Sequence, residues 1–380
     1  MSARASVAHP IAHRRSRTEN TVPFFWPLEL GAAIAKDEMD EFGRGLKAIA
    51  EAEKLEFGLT PKFATANTVR IELHTLRLRD FSTAPMAGEC PTLIDAPYAG
   101  HTAVIADFHQ GQSLVETLLG NGLTRVLVTD WKSATAAMKD YDIDNYLAEI
   151  NVCVDDLGGR VNLVGLCQGG WMSAMFAARY PAKVRSLVLA GSPIDTGAGN
   201  GPLKAMAQDL PLSQYEELVA MGDGLMRGRF MLEAWKNMHP GEQYFRKYVD
   251  LYEHIDDPVY VKKQEDFEAW YENPIDLPGR WYLQAVQQLF KENRLAKGTF
   301  VGLGRPLSLK DVICPVYLLA GSADDITTKE QVFHAEKYLG TPASRIVKEL
   351  VPGGHIGLFM GARTLREHWP KIAEWIKAAA

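Results

Sequence analysis

One short segment limits the fold of this chain more than any other, because it carries an apolar run into a cysteine placed between glycines. Residues 160–166 (RVNLVGL) are typical of a buried strand, and residues 171–180 (WMSAMFAARY) are typical of an apolar helix. Between them Gly165, Cys167 and Gly169 form a Gly-x-Cys-x-Gly turn. A strand that turns sharply into a helix holds the residue at the turn above the edge of a sheet, as in a nucleophile elbow. The segment therefore predicts that Cys167 is a nucleophile.

The predicted turn also supplies the electrostatics that a thiol nucleophile needs. The positive end of the helix points at Cys167 and favours its thiolate form. The backbone N–H of Gln168 is placed to donate to an oxyanion. The alternative is a buried, inert cysteine beside a glycine turn. The other thiols lack this setting, and we interpret Cys90, Cys153 and Cys314 as packing residues.

Short apolar runs alternate with amphipathic helices over much of the chain. The predicted strands are 91–97, 125–131, 160–166, 184–192, 315–321 and 345–352, and the predicted helices are 112–120, 143–157, 168–180 and 362–378. Such alternation predicts a parallel sheet with right-handed crossovers. Residues 28–56 have helical periodicity, and 69–75 with 76–81 predict an antiparallel hairpin at the sheet edge. The fold class is therefore α/β, with a doubly wound, mostly parallel sheet.

The alternation stops at residues 195–310, which are too many for a bare loop. This stretch has helical patterns and many aromatic residues, most of which would form its own core. We interpret it as a helical cap over the carboxyl ends of the strands, where open α/β sheets bind ligands. The predicted organisation is a disordered basic tail at 1–22, core at 23–194, cap at 195–310 and core at 311–380.

An acid and a histidine should follow the nucleophile in that order along the chain. Asp324 lies just after the predicted strand 315–321, and it would orient an imidazole and stabilise its cation. Asp325 is the neighbouring candidate, with helix or loop capping as its alternative role. Asp195, after the strand 184–192, is a third choice.

The histidine of such a site should follow the last strand. His355 lies there, after two glycines, and it is the predicted general base. His334 and His368 lie in helical patterns and are interpreted as surface residues. The loop after the first core strand corresponds to a second oxyanion donor, which Tyr98 or Ala99 would supply.

Composition excludes several other classes of protein. The chain has 380 residues, 47% apolar and 23% charged, with 41 Lys+Arg against 47 Asp+Glu. This mildly acidic balance does not support nucleic-acid binding, and no run of about 20 apolar residues is free of charge, so no membrane span is predicted. Four cysteines without a CxxC pair indicate neither a zinc site nor a disulfide scaffold. The sequence has neither a P-loop nor a GxGxxG motif after its first strand, so it implies no cofactor. Arg14 and Arg15 are not followed by an apolar segment, so we expect a cytoplasmic protein.

From about Pro91 to Trp375 the chain resembles the polyhydroxyalkanoate synthases and the intracellular polyhydroxybutyrate depolymerases. Residues 165–170 (GLCQGG) are similar to the synthase box Gly-x-Cys-x-Gly-Gly, and residues 130–146 are also synthase-like. Residues 276–290, 321–326 and 354–359 look more like the depolymerases. Asp325 stands where synthases usually have histidine, and the double glycine departs from the depolymerases. The resemblance implies an α/β-hydrolase core with the triad Cys167, Asp324 and His355.

The resemblance leads to three functional hypotheses. The first is an intracellular polyhydroxyalkanoate depolymerase or related ester or thioester hydrolase with an acyl-S-Cys167 intermediate. The alternative is a synthase that transfers a 3-hydroxyacyl group from its coenzyme A thioester to a growing chain. A further alternative is a non-catalytic protein of the polyester granule. The expected partners are a polyester granule or a 3-hydroxyacyl substrate, with no cofactor or metal, and the sequence is compatible with a homo-oligomer.

Overall fold

The computed structural model describes residues 39–57, 59–84, 88–238 and 246–379. The expected tail at 1–22 and the first part of the expected helix 28–56 lie outside the described residues. The strands are β1 Thr68–Glu72, β2 Leu76–Asp80, β3 Thr92–Asp95, β4 Val126–Trp131, β5 Val161–Leu166, β6 Val184–Ala190, β7 Leu225–Met226, β8 Leu277–Pro278, β9 Val301–Gly302, β10 Arg305–Pro306, β11 Val316–Gly321 and β12 Ile346–Val351. The α-helices are α1 Met39–Phe57, α2 Leu114–Gly120, α3 Ile143–Asp156, α4 Gln168–Arg179, α5 Pro202–Asp209, α6 Leu212–Met221, α7 Gly228–Met238, α8 Lys247–Glu253, α9 Pro258–Tyr271, α10 Gly279–Gln284, α11 Lys329–Phe333, α12 Gly357–Met360, α13 Ala362–Glu367 and α14 Trp369–Ala378. A π-helix at Ala285–Lys291 continues α10.

Eight strands form one sheet in the order β1-β2-β4-β3-β5-β6-β11-β12. β2 is antiparallel to β1 and to β4, and every other neighbouring pair of this sheet is parallel. The predictions of a doubly wound, mostly parallel sheet and of an antiparallel edge hairpin are confirmed.

The central strands are mostly apolar because both faces of the sheet are covered. Every residue of β3, β4, β5 and β11 is buried. Strands buried on both faces have continuous apolar runs rather than alternation, and this is the pattern that the sequence displays. The edge strand β1 is exposed at four of its five residues.

The helix that was expected at 362–378 is two helices that meet at His368. Pro370, the second residue of α14, has no backbone N–H, so a continuous helix would leave the Arg366 carbonyl without its donor. The interpretation of His368 as a surface residue is wrong. Its side chain is mostly buried, and its Nδ1 lies 2.6 Å from Glu349 Oε1.

Between β6 and β11 the chain leaves the large sheet and forms helices α5 to α10. Part of this segment contacts loops at the carboxyl ends of β3 and β4. The Ile275 N–H donates to the Gly100 carbonyl at 2.7 Å, and the Ala134 N–H donates to the Asp276 carbonyl at 2.8 Å. The carboxyl edge of an open α/β sheet is where ligands bind. The described ranges contain no helix long and apolar enough to cross a membrane.

Candidate active site

Cys167 occupies a sharp turn between β5 and α4. Its backbone has φ 50° and ψ −116°, a region that non-glycine residues rarely adopt. The turn is held by a hydrogen bond from the Cys167 N–H to the Ala190 carbonyl at 2.8 Å. The side chain is partly exposed rather than sealed in the core. The sulfur therefore stands at the carboxyl edge of the sheet, as an elbow requires.

Glycines around the turn are required because α4 packs directly on the sheet. A Cβ on Gly165 would lie 2.4 Å from the Cα of Gly170. A Cβ on Gly169 would lie 2.1 Å from the Asp95 carbonyl oxygen, and one on Gly170 would lie 1.7 Å from Ser192 Oγ. The double glycine is thus a packing requirement of the turn.

His355 and Asp324 lie together at the ends of their strands. His355 Nδ1 is 2.7 Å from Asp324 Oδ2, and both residues are buried. The other oxygen of Asp324 accepts the N–H groups of Ile326 at 3.0 Å and Thr327 at 2.8 Å. These bonds fix the carboxylate and leave one oxygen for the imidazole. The neighbouring Asp325 is half-buried, and Asp324 is the carboxylate that contacts the imidazole.

The side chains of His355 and Cys167 are close enough to interact electrostatically. Since Nδ1 is engaged by the carboxylate, Nε2 is the nitrogen left for the sulfur. Burial alone would lower the pKa of His355, but the charges of Cys167 and Asp324, with the hydrogen bond to Asp324, raise this pKa to about 10. The imidazole also lies close to Gly191, which has φ +56°. A Cβ added at residue 191 would lie 3.2 Å from His355 Cε1.

Asp195, the third choice for the acid, belongs to a separate network. It accepts hydrogen bonds from Tyr338 Oη at 2.7 Å and Asn293 Nδ2 at 2.8 Å, and His334 Nδ1 lies 3.2 Å away. Burial opposes the ionisation of Asp195, yet these hydrogen bonds hold its pKa below the ordinary value. The network ties the loop after β6 to the segment after α11, and His334 is paired there rather than free in solvent.

The two expected oxyanion donors differ in the structure. Gln168 is the first residue of α4, so its N–H has no partner within the helix. Of the two alternatives Tyr98 and Ala99, the Tyr98 N–H donates to the side-chain oxygen of Gln168. Its neighbour Ala99 is half-buried, and no described residue accepts its N–H. The N–H groups of Gln168 and Ala99 thus have no acceptor among the described residues.

The remaining thiols lie in environments that keep them protonated. Burial raises the pKa of Cys153 to about 12 and that of Cys314 to about 11. Burial also raises the pKa of the half-buried Cys90. Because the thiolate is the nucleophilic form, none of the three is activated as a nucleophile.

Sequence reasoning missed Asp95, a carboxyl group buried beneath the elbow. Its oxygens accept the hydroxyl groups of Thr129 at 3.2 Å and Ser173 at 3.1 Å. Burial raises the pKa of Asp95 to about 7. An aspartate inside the apolar run PTLIDAP was the available signal, because an acid is rarely buried without a partner. Within the described ranges no cluster of His, Cys, Asp or Glu could hold a metal ion.

Several curated proteins similar to this chain share one name. A protein of Allochromatium vinosum named "Poly(3-hydroxyalkanoate) polymerase subunit PhaC" is 28% identical over 367 residues, which are 92% of this chain and 99% of the relative. A protein of the same name from Synechocystis is 25% identical over 93% of this chain and 95% of its own length. The expected resemblance to the polyhydroxyalkanoate synthases is confirmed by these relatives.

Solved structures establish the fold. A putative lipase from Acinetobacter baumannii matches 91% of this chain and 100% of its own, with a TM-score of 0.51 and 14% identity. The mouse alpha/beta hydrolase domain-containing protein 10 matches 83% of this chain and 100% of its own, also with a TM-score of 0.51 and 14% identity. The predicted α/β-hydrolase fold is confirmed.

The comparisons together point to an enzyme of the α/β-hydrolase kind. A family model described as "Protein of unknown function (DUF3141)" matches residues 82–377, which is most of the chain. The chain therefore belongs to the DUF3141 family.

Proposed function

We propose that this protein is an acyltransferase that loads a 3-hydroxyacyl group from a coenzyme A thioester onto Cys167 and passes it to the hydroxyl end of a polyester. The hydrogen bond between His355 and Asp324, with Cys167 interacting electrostatically with the same imidazole, carries the proposal. Acyl transfer takes precedence over depolymerisation because the relatives that match over their full length are named polymerase subunits.

In the first step the thiolate of Cys167 attacks the carbonyl carbon of the thioester. The carbonyl oxygen becomes an oxyanion, which the N–H groups of Gln168 and Ala99 stabilise. A new carbon–sulfur bond to Cys167 forms and the bond to the coenzyme A sulfur breaks. The protonated imidazole of His355 supplies a proton to the departing thiolate.

In the second step the neutral His355 takes the proton of an acceptor hydroxyl group. The hydroxyl oxygen attacks the acyl carbon, an ester bond forms and the bond to Cys167 Sγ breaks. The Cys167 thiolate forms again, and His355 now holds the proton that it took from the hydroxyl group. The number of protons on the enzyme is therefore the same before and after the cycle. Asp324 keeps the imidazole oriented in both steps.

Water competes with the alcohol in the second step, so hydrolysis is the second candidate function. The partial exposure of Cys167 favours this candidate. We propose that residues 195–310 act as a cap that limits water at the acyl-enzyme. On this view the substrate is the end of a polyester, and the protein works at the surface of a polyester granule.

The test is incubation of the purified protein with 3-hydroxybutyryl coenzyme A. Thiol release is followed with a colorimetric reagent, and the products are identified by mass spectrometry. Oligoesters of 3-hydroxybutyrate would support acyl transfer, whereas free 3-hydroxybutyrate equal to the released thiol would support hydrolysis. Absence of thiol release above that of Cys167→Ala would contradict both functions and favour the non-catalytic alternative.

A further inference from the structure

Two buried indole N–H groups near the candidate site have no acceptor among the residues that the structure describes. Trp171 is 1% exposed and Trp281 is 3% exposed. No described residue accepts a hydrogen bond from Nε1 of either indole. A buried donor without an acceptor destabilises the fold by about 1–3 kcal/mol. Two such donors side by side therefore call for a physical explanation.

The position of the two indoles connects them to the nucleophile turn. Trp171 lies in the first turn of α4, whose N-cap residue is Cys167. Its ring stacks on that of Trp281 from α10, with 5.7 Å between the ring centroids. The Trp281 ring lies 5.3 Å from that of Tyr98, whose N–H is bonded to the Gln168 side chain. The two indoles thus connect α4, the loop after β3 that contains Tyr98, and helix α10 of the proposed cap.

The surrounding rings show that this cluster otherwise satisfies its polar atoms. Trp131 Nε1 donates to the Ala96 carbonyl at 2.8 Å. Tyr146 Oη donates to Tyr98 Oη at 3.0 Å, and Tyr98 Oη donates to a backbone carbonyl at 3.2 Å. Among the described rings of this cluster, the missing acceptors are those of the two indoles that face each other between α4 and α10.

The chemistry of the cluster limits what the indoles can bind. An indole N–H only donates, so its partner must be an acceptor. The rings provide no cation, and a buried anion without one is strongly disfavoured. The group that the indoles bind is thus a neutral acceptor, such as a hydroxyl oxygen.

We propose that Trp171 and Trp281 are specificity-determining residues that bind the oxygen at C3 of the acyl group carried by Cys167. This inference rests on the proposed function. In a 3-hydroxyacyl group the carbonyl oxygen is bound by the backbone amides of the oxyanion hole, so the C3 oxygen is the one that still needs donors.

The first test compares 3-hydroxybutyryl and butyryl thioesters. The substitutions Trp171→Phe and Trp281→Phe remove an N–H group and keep a ring. We expect each to reduce the ratio of kcat/KM for the 3-hydroxybutyryl over the butyryl thioester by about tenfold, the effect of one hydrogen bond.

The control is Trp131→Phe, which removes an indole N–H that already has an acceptor. Its ratio should equal that of the wild type, and circular dichroism verifies the fold of each variant.

The second test does not depend on turnover. In ¹⁵N-labelled Cys167→Ala protein, the indole resonances of residues 171 and 281 are assigned from the two Phe variants. Methyl 3-hydroxybutyrate should shift them, and methyl butyrate should shift them far less. If the Phe variants turn over with the wild-type ratio of kcat/KM and the indole resonances show no selective shift, this inference is overturned and the proposed function is retained. A selective shift without any acylation of wild-type Cys167 would retain the binding site and refute the proposed function.

Discussion

Gly170 lies against Ser192 with no room for a side chain between them, since a Cβ on residue 170 would come within 1.7 Å of the serine hydroxyl oxygen. This contact sets how closely α4 approaches the loop after β6. The nucleophile turn precedes α4 directly, so the contact also sets the position of Cys167.

Gly170→Ala should destabilise the fold and misplace the nucleophile. Overpacking of this kind reduces the free energy of unfolding by about 1–3 kcal/mol, and urea denaturation measures it. The double variant with Ser192→Gly removes the opposing atoms and should recover most of the loss. Gly120→Ala is the matched control, because no atom lies within 4 Å of its Cβ position. An equal effect of both alanines would contradict this account of the double glycine.

Asp324→Asn should reduce kcat for thiol release by a factor on the order of 10²–10⁴, because an amide neither balances the imidazolium charge nor fixes the tautomer. Asp325→Asn, one residue further along, should retain kcat within about twofold since Asp324 makes the contact to His355. Steady-state kinetics of the two variants with the same thioester provide the comparison. The assignment of the acid is wrong if Asp325→Asn is the more damaging change.

His355 should remain protonated through neutral pH. Its pKa is raised from 6.5 to about 10, so its proton is held at pH 7–9 and lost as the pH rises through about 10. Imidazole resonances of ¹³C-labelled histidine should report that titration, and kcat/KM should decline over the same alkaline range. Cys167→Ala removes the side chain that contributes to the raised pKa of His355 and should lower that pKa. A wild-type titration near 6.5 would contradict the raised pKa of His355.

Asp95→Asn should change how stability depends on pH. The folded carboxyl keeps its proton up to about pH 7, whereas the unfolded one releases it near 3.8. The free energy of unfolding of the wild type therefore loses this contribution as the pH rises from 3.8 to 7. Relative to the wild type, Asp95→Asn should be more stable at pH 7.5 than at pH 5, as measured by urea denaturation. The exposed Asp311→Asn is the control, and an identical pH dependence of both variants would refute the prediction.

The local pattern of apolar residues was sufficient to predict the sheet and the order in which the candidate site residues follow one another along the chain. The apolar run before Cys167 and the apolar helix after it encode the turn within about 20 consecutive residues. The same holds for Asp324 and His355, because each directly follows a strand that the apolar runs reveal. Because parallel strands have their carboxyl ends at the same edge of a sheet, residues that follow them are expected to lie at that edge.

Contacts between distant segments could not be predicted in the same way. The bond from the Tyr98 amide to the Gln168 side chain depends on how two loops meet in space. The stacking of Trp171 on Trp281 joins residues more than a hundred positions apart. Neither contact leaves a periodic signal in the sequence, because each depends on side-chain rotamers and on the final packing of the helices.

Acylation of Cys167 tests the central claim most directly. The protein is mixed with 3-hydroxybutyryl coenzyme A, quenched in acid within seconds, digested and examined by mass spectrometry. The account predicts one 3-hydroxybutyryl group on the peptide that contains Cys167, and its accumulation in Asp324→Asn, where deacylation is slowed. An unmodified Cys167 peptide in both proteins, or an acyl group found only on another residue, would contradict it.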